Sequence, residues 1–284
     1  MSLTSLSSDL RKEQIRLSRS TTNSLAEVFA ALSFKALDAS ANGWVTAAES
    51  IARKAHREAI DLGASFYLDY RREAGVRGKI GITRADFDGE KLRSSLIALG
   101  PWQAKHLLSE HYPIVDAART VFTMTAGSAV RRVLAGSRET IQNTSFNDGY
   151  VGYWRRVTGP HPCGFCAMVA MNLFNSEASA TFVQGRGMDP ALTKGKSGGQ
   201  GKGLKARGGQ AIGEKYHDHC QCHAIPAIRD AFPDGYVEMI DRFKELWVNP
   251  GGETTYLKPG EKPNWAVRRK DFYAAIEREF GLAA

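Results

Sequence analysis

Apolar residues recur every third or fourth position through most of the first half of the chain, the period of a helix with one buried face. Leu25, Val28, Phe29 and Leu32 carry the pattern in a predicted helix over residues 10–34, with a turn at 38–43. Ala48, Ile51, Ala52, Ala55, Ala59, Leu62 and Phe66 carry it again, with Arg53, Lys54, Arg57, Glu58, Asp61 and Asp69 on the opposite face. Thr46 and Glu49 have the spacing of a capping box, which predicts the start of this second helix, and Gly75 its end. Residues 75–89 are Gly-rich and aperiodic, a loop with one short strand at 79–83. A helix is expected around 89–98. After Pro113 a strong one places Ile114, Ala118, Val121, Phe122, Ala129, Val133 and Leu134 on one face, with Gly127 as a point of bending. A further helical stretch is expected over 137–147.

The period then changes. YVGYWRRV, residues 150–157, is aromatic and β-branched and predicts a strand. TGPHPCGFC follows as a turn with two prolines, and AMVAMNLF as a helical turn. Residues 184–214 are crowded with Gly and Lys and cannot bury enough apolar surface to offset the entropy of ordering. This segment reads as a mobile, solvated loop rather than a phosphate-binding surface of Lys194, Lys196, Lys202, Lys205 and Arg207. Residues 222–228 predict a second strand. Tyr236, Ile240, Phe243 and Trp247 line one closing helix, and Phe272, Ile276 and Phe280 another. The pattern predicts an α+β chain: a helical region 1–146, a small antiparallel β module 147–230, and a C-terminal helical extension 231–284.

Composition adds little to this picture. The chain has 284 residues, 43% hydrophobic and 24% charged, as in a soluble globular protein. There is no run of eighteen apolar residues, so no membrane span is expected. The N-terminus lacks the apolar core of a signal peptide, which points to a reducing cytoplasm. A net charge of +8 favours an acidic partner such as nucleic acid or an acidic protein surface. Tyr153 and Trp154, beside two arginines, read as core packing rather than a stacking surface for bases.

The four cysteines change the picture more. All lie between Cys163 and Cys222, as Cys-x2-Cys and then, after a long interval, His-x2-Cys-x-Cys. In a reducing compartment such clusters point to metal or catalysis rather than disulfides. Cys163 and Cys166 can turn inward from one tight loop, half of a tetrahedral zinc site with Zn–S near ~2.3 Å. The second cluster, YHDHCQCH, offers His217, Cys220 and Cys222, with His219 and His223 beside them. Zinc needs two of these donors, and the spacing leaves open which two. A structural zinc is therefore expected, bound by Cys163, Cys166 and members of the set His217, Cys220 and Cys222. The competing readings are a cysteine nucleophile with a histidine base, a catalytic zinc with an open water position, and buried unligated thiols. The first gives no reason for four clustered cysteines. No HExxH, GxSxG or P-loop pattern is present. PHPCGFC is half of a zinc-deaminase signature, but no Glu follows His161.

A basic aromatic strand ending in Thr, then PCGFCAM, then YHDHCQC before an apolar strand, resembles the Mu F-like minor head proteins of tailed bacteriophages. The form in phages of actinobacteria is most similar, and FYLDYRREAG and HYPIVDAARTVF fit it as well. On this resemblance Cys163 and Cys166 match the family's first Cys pair, His217 its histidine, and Cys220 and Cys222 its Cys-Arg-Cys. Gln221 stands in place of the Arg, and the Gly/Lys insertion departs from the most compact members. The resemblance implies a structural, non-enzymatic minor capsid or head-morphogenesis protein of the virion. Its implied partners are the phage portal or major capsid protein, with packaged DNA as a further contact. Relatives described as capsid maturation proteases give the alternative, for which no Ser-His pattern stands out.

Overall fold

The computed structural model describes residues 2–171, 222–229, 231–250 and 265–281. They divide into two compact units. A helical unit comprises residues 8–148; a mixed unit comprises residues 2–7 and the described residues from 149 onward.

The helical unit is built on two long helices, α2 (Leu37–Glu73) and α5 (Ile114–Phe146). They meet through small residues. Ala48, Ala52 and Ala59 of α2 and Ala117 and Ala129 of α5 are all fully buried in one core. α1 (Leu3–Phe29) joins that core with Leu17 and Leu25. Ser7, Leu10, Gln14, Leu17, Thr21 and Leu25 make its buried stripe, stepping by three and four. Half of those positions are polar: Gln14 Nε2 donates to Ser137 Oγ at 2.9 Å while its Oε1 is buried without a partner, and Thr21 Oγ1 donates to the Leu17 carbonyl at 2.8 Å. The expected helix over 10–34 is thus displaced toward the N-terminus.

The capping box at Thr46 and Glu49 is not used. α2 begins at Leu37, and Thr46 Oγ1 donates back to the Asn42 carbonyl at 2.9 Å within the helix. Packing overrides the local signal. Trp44, 2% exposed, sits edge-on to Phe29 at 6.2 Å, and Phe29 meets Phe122 at 5.2 Å. At its other end α2 stops as expected. Gly75 takes a left-handed φ of 76°, while the Gly75 and Val76 amides donate to the Arg72 and Arg71 carbonyls at 3.0 and 3.1 Å.

The strand expected at 79–83 does not form. That loop instead gives its amides to hydroxyls one turn apart on α5: Thr83 N–H to Thr144 Oγ1 at 3.1 Å and Ala85 N–H to Thr140 Oγ1 at 3.0 Å. α3 (Gly89–Ile97) is capped by Asp88, whose carboxylate accepts the Lys91 amide at 2.9 Å. A π-helical turn over Ala98–Trp102, holding Pro101, leads into α4 (Gln103–Ser109). α5 runs unbroken for 33 residues through Gly127, where the sequence pattern predicted a bend and a second stretch.

In the mixed unit β1 (Val151–Val157) pairs antiparallel with β2 (His223–Ile228). The register sets Val157 opposite His223, Arg156 opposite Ala224 and Tyr153 opposite Ala227, with an irregularity between Val151 and Tyr153. These are the two strands expected over 150–157 and 222–228, paired antiparallel. Two strands alone are marginal in water and need a covering layer. α6 (Gly164–Met171) packs on β1, α7 (Tyr236–Val248) and α8 (Trp265–Phe280) pack on α6 and on each other, and every residue of β2 is buried. α7 and α8 close on each other through Phe243–Phe280 at 5.5 Å and Trp247–Phe272 at 5.2 Å. A buried aromatic of this kind contributes about 1.5–3 kcal/mol. Among the described residues, no helix is long and apolar enough to cross a membrane.

Candidate metal centre at the Cys-x2-Cys helix

The predicted turn at Cys163–Cys166 is the start of α6, with Cys163 in the capping position. Its carbonyl accepts the Ala167 amide at 3.0 Å, and its Sγ accepts the Cys166 amide at 3.4 Å. A sulfur thus does the work that Ser or Asp does at other helix starts, and both cysteines lie on one turn. Cys163 is half-buried and Cys166 fully buried.

Gly164, between them, is required by a neighbour. A Cβ there would stand 2.3 Å from Tyr273 Cδ1 and 2.9 Å from Tyr273 Cα, so α8 closes directly on the Cys-x2-Cys turn. Burial raises the Tyr273 hydroxyl above its usual range; the Arg269 charge opposes the rise, and negative charge on Cys163 and Cys166 adds to it.

Beneath the turn lies Arg156 of β1. It is 0% exposed, and its Nη1 donates to Cys166 Sγ at 3.6 Å. Arg156 pairs across the hairpin with Ala224, so both face the side of the sheet on which Cys166 sits. Cys222 is 4% exposed and immediately precedes β2.

Of the five predicted ligands, the structure brings Cys163 and Cys166 together and sets Cys222 at the same end of the hairpin. His217 and Cys220 lie outside the described residues, as does the Gly/Lys segment 184–214. Among the described residues, no three His, Cys, Asp or Glu side chains gather closely enough to hold a metal. The donor chemistry present fits half of a zinc site: two thiols on one helical turn, with the buried Arg156 guanidinium beside one of them.

Sequence reasoning missed the roles of Arg156, Gly164 and Tyr273. It also missed a second tie. Ser7 Oγ and His223 Nε2 share a 2.9 Å hydrogen bond, and Thr4 Oγ1 donates to Asp234 Oδ2 at 2.9 Å while accepting the Asp234 amide at 2.8 Å. Ser7 is 3% and His223 1% exposed, so this Ser–His pair has no room for a substrate and acts as a fastening for the first turn of α1. His161, which precedes Cys163 in sequence, is exposed and hydrogen-bonds the Phe280 carbonyl.

A family model described as VG15 protein matches residues 1–248, from the start of α1 to the end of α7. No curated protein and no solved structure matches the chain.

Proposed function

The chain belongs to the VG15 protein family, a phage-associated family, and from that premise we propose that it is a structural minor capsid or head-morphogenesis protein of a tailed phage. It docks on portal or major capsid subunits during assembly in the host cytoplasm and stays in the virion, with packaged DNA as a further contact. The observation that carries the reading is the family match, which spans the helical unit, the hairpin and the Cys-x2-Cys helix. The Mu F-like resemblance of the PCGFCAM and YHDHCQC segments refines it to the head.

In this reading the chain performs no catalysis. Its long helices offer partner surface, and the mixed unit is held by structural zinc on Cys163 and Cys166 with two donors from His217, Cys220 and Cys222. Bound zinc would cross-link the two halves of the module, which suits a unit whose sheet has two strands among the described residues. The thiols of Cys163 and Cys166 would hold it from one helical turn, with the Arg156 guanidinium beside Cys166.

The test is deletion of the gene in the phage, with complementation by the intact chain and by Cys163→Ser/Cys166→Ser. Loss of normal heads, recovery of the intact protein in purified virions, and failure of the double variant to accumulate folded support the proposal. Normal infectious heads without the protein end it. Discrete cleavage of major capsid protein on incubation with the purified chain would replace it with a maturation protease.

A further inference from the structure

α5 carries two apolar faces where it follows α4. Ala117 and Val121 turn inward and are fully buried in the helical core. Ile114, Ala118 and Phe122, spaced by four, form a second face with Val115 beside them. At one end of that face Phe122 rests edge-on to Phe29 at 5.2 Å. The other end meets solvent: Tyr112 is 51%, Ile114 50% and Val115 69% exposed. The sequence pattern predicts Ile114 on the buried side of α5, yet the core uses Ala117 and Val121 and leaves it open. Contiguous exposed apolar surface marks an interaction site. We propose that this face of α5 docks on an apolar, uncharged surface of the phage head shell.

This inference rests on the minor capsid reading above and names a docking surface for it. Charge selects the partner. The chain carries +8, yet between Lys105 and Phe122 the acids Glu110 and Asp116 cancel the bases Lys105 and Arg119. Both bases are engaged, Lys105 with Asp38 at 2.5 Å and Arg119 with Asp116 at 3.5 Å. Phosphate contact draws on cations that can release counterions, so DNA gains little at this face. An uncharged apolar surface gains the burial without breaking either pair. Area argues against a second copy of the chain. A stable pair buries roughly 800 Å² per partner, and three half-exposed side chains supply less. The contact is therefore one among several, as in an assembled shell. The backbone fixes where the face points. His111 takes a left-handed φ of 63°, a place where glycine is usual, and the His111 and Tyr112 amides donate to the Leu108 and Leu107 carbonyls at 3.1 Å each. This closes α4 and sets the direction in which α5 starts.

The experiment supplies a tagged second copy of the full chain during infection by wild-type phage and measures its amount per purified head. The copy is unchanged, Val115→Asp or Thr120→Asp. Thr120 is exposed and turned away from this face, so T120D controls for the added charge. A carboxylate in the first turn of a helix suits its dipole, so V115D keeps the fold, which circular dichroism of the purified chain checks. V115D should enter heads about 10–30-fold less than the unchanged copy, and T120D within about twofold of it. V115D within about twofold of the unchanged copy, or T120D lost to the same degree, overturns the proposal and leaves the minor capsid reading standing. Absence of the unchanged copy from heads overturns both. A dimer of the purified chain that V115D dissociates assigns the face to a second copy and overturns the proposal. Should V115D fail to fold, the Ile114→Ser/Val115→Ser chain decides, read against the same limits.

Discussion

Gly63 of α2 lies against the backbone of Ser137 of α5: a Cβ added at Gly63 would stand 2.5 Å from the Ser137 carbonyl oxygen and 2.8 Å from its Cα. Both obstructing atoms are main chain, so no rotamer change relieves the contact. Gly63→Ala should therefore push the two longest helices apart, despite the better helix propensity of Ala. The expected loss is about 1–3 kcal/mol, read as a lower urea midpoint with an unchanged slope. A stabilised variant would mean that the helices do not approach this closely.

Asp148, just after α5, should be the most sensitive charged position of the helical unit. Arg71 Nε donates to Asp148 Oδ2 at 2.7 Å and Tyr67 Oη donates to the same oxygen at 2.9 Å, with the ionic side chains 8% and 2% exposed. Burial, and then the bond to Asp148, drive the Tyr67 hydroxyl far above its usual range, so it remains a donor at any working pH. Asp148→Ala leaves Arg71 buried without this carboxylate and should cost about 3–5 kcal/mol. Tyr67→Phe removes one hydrogen bond and should cost about 1 kcal/mol. Equilibrium unfolding of both variants checks the ordering; equal effects would contradict it.

These two sites show why the sequence was only partly legible. Periodicity located α2, α5, α7, α8 and the hairpin, because their buried faces are made of apolar residues at regular intervals. It misplaced α1, because Ser7, Gln14 and Thr21 occupy buried positions where the pattern requires apolar side chains. The capping box at Thr46 failed because Trp44 and Leu37 are buried and draw the helix start back to Leu37. The strand at 79–83 failed because Thr140 and Thr144 satisfy the loop's amides from α5, a pairing between distant residues that no local pattern reveals. At the candidate metal centre the thiols were legible from spacing. The cation beneath them and the tyrosine above them depend on strand register and helix docking, which appear only once the chain is folded.

His56 gives the helical unit a pH dependence of defined sign. It is 1% exposed, its Nδ1 donates to the Arg132 carbonyl at 3.0 Å, and its Nε2 is buried with no partner. Burial is the main cause that lowers its pKa below the ordinary 6.5, opposed by the bond to the Arg132 carbonyl and aided by the charges of Arg132 and Arg53. The folded chain therefore keeps the ring neutral while the unfolded chain takes up a proton. The stabilisation is complete above the unfolded pKa and is lost as pH falls below about 6.5, with a limiting slope of about 1.4 kcal/mol per pH unit. Unfolding free energies between pH 5 and 8 should show this loss in the wild type and a flatter profile in His56→Gln. Parallel profiles would assign the dependence to other groups.

Gly164→Ala tests the packing of the Cys-x2-Cys turn without changing either cysteine. The added methyl meets Tyr273 at Cδ1, at Cγ (2.5 Å) and at Cα, so α8 must move away from the Cys-x2-Cys turn. The mixed unit should lose about 1–3 kcal/mol, and the thiols of Cys163 and Cys166 should react faster with a thiol reagent. Tyr273→Ala removes the ring but leaves the Cα only 2.9 Å from the new methyl. The double variant should therefore recover part of the loss, with a coupling of about 0.5–3 kcal/mol between the two positions. Strict additivity would show that the ring does not rest on the turn, whereas full recovery would show that the backbone of α8 has room to spare. The partial result is expected because both ring and backbone stand within contact of the same missing Cβ.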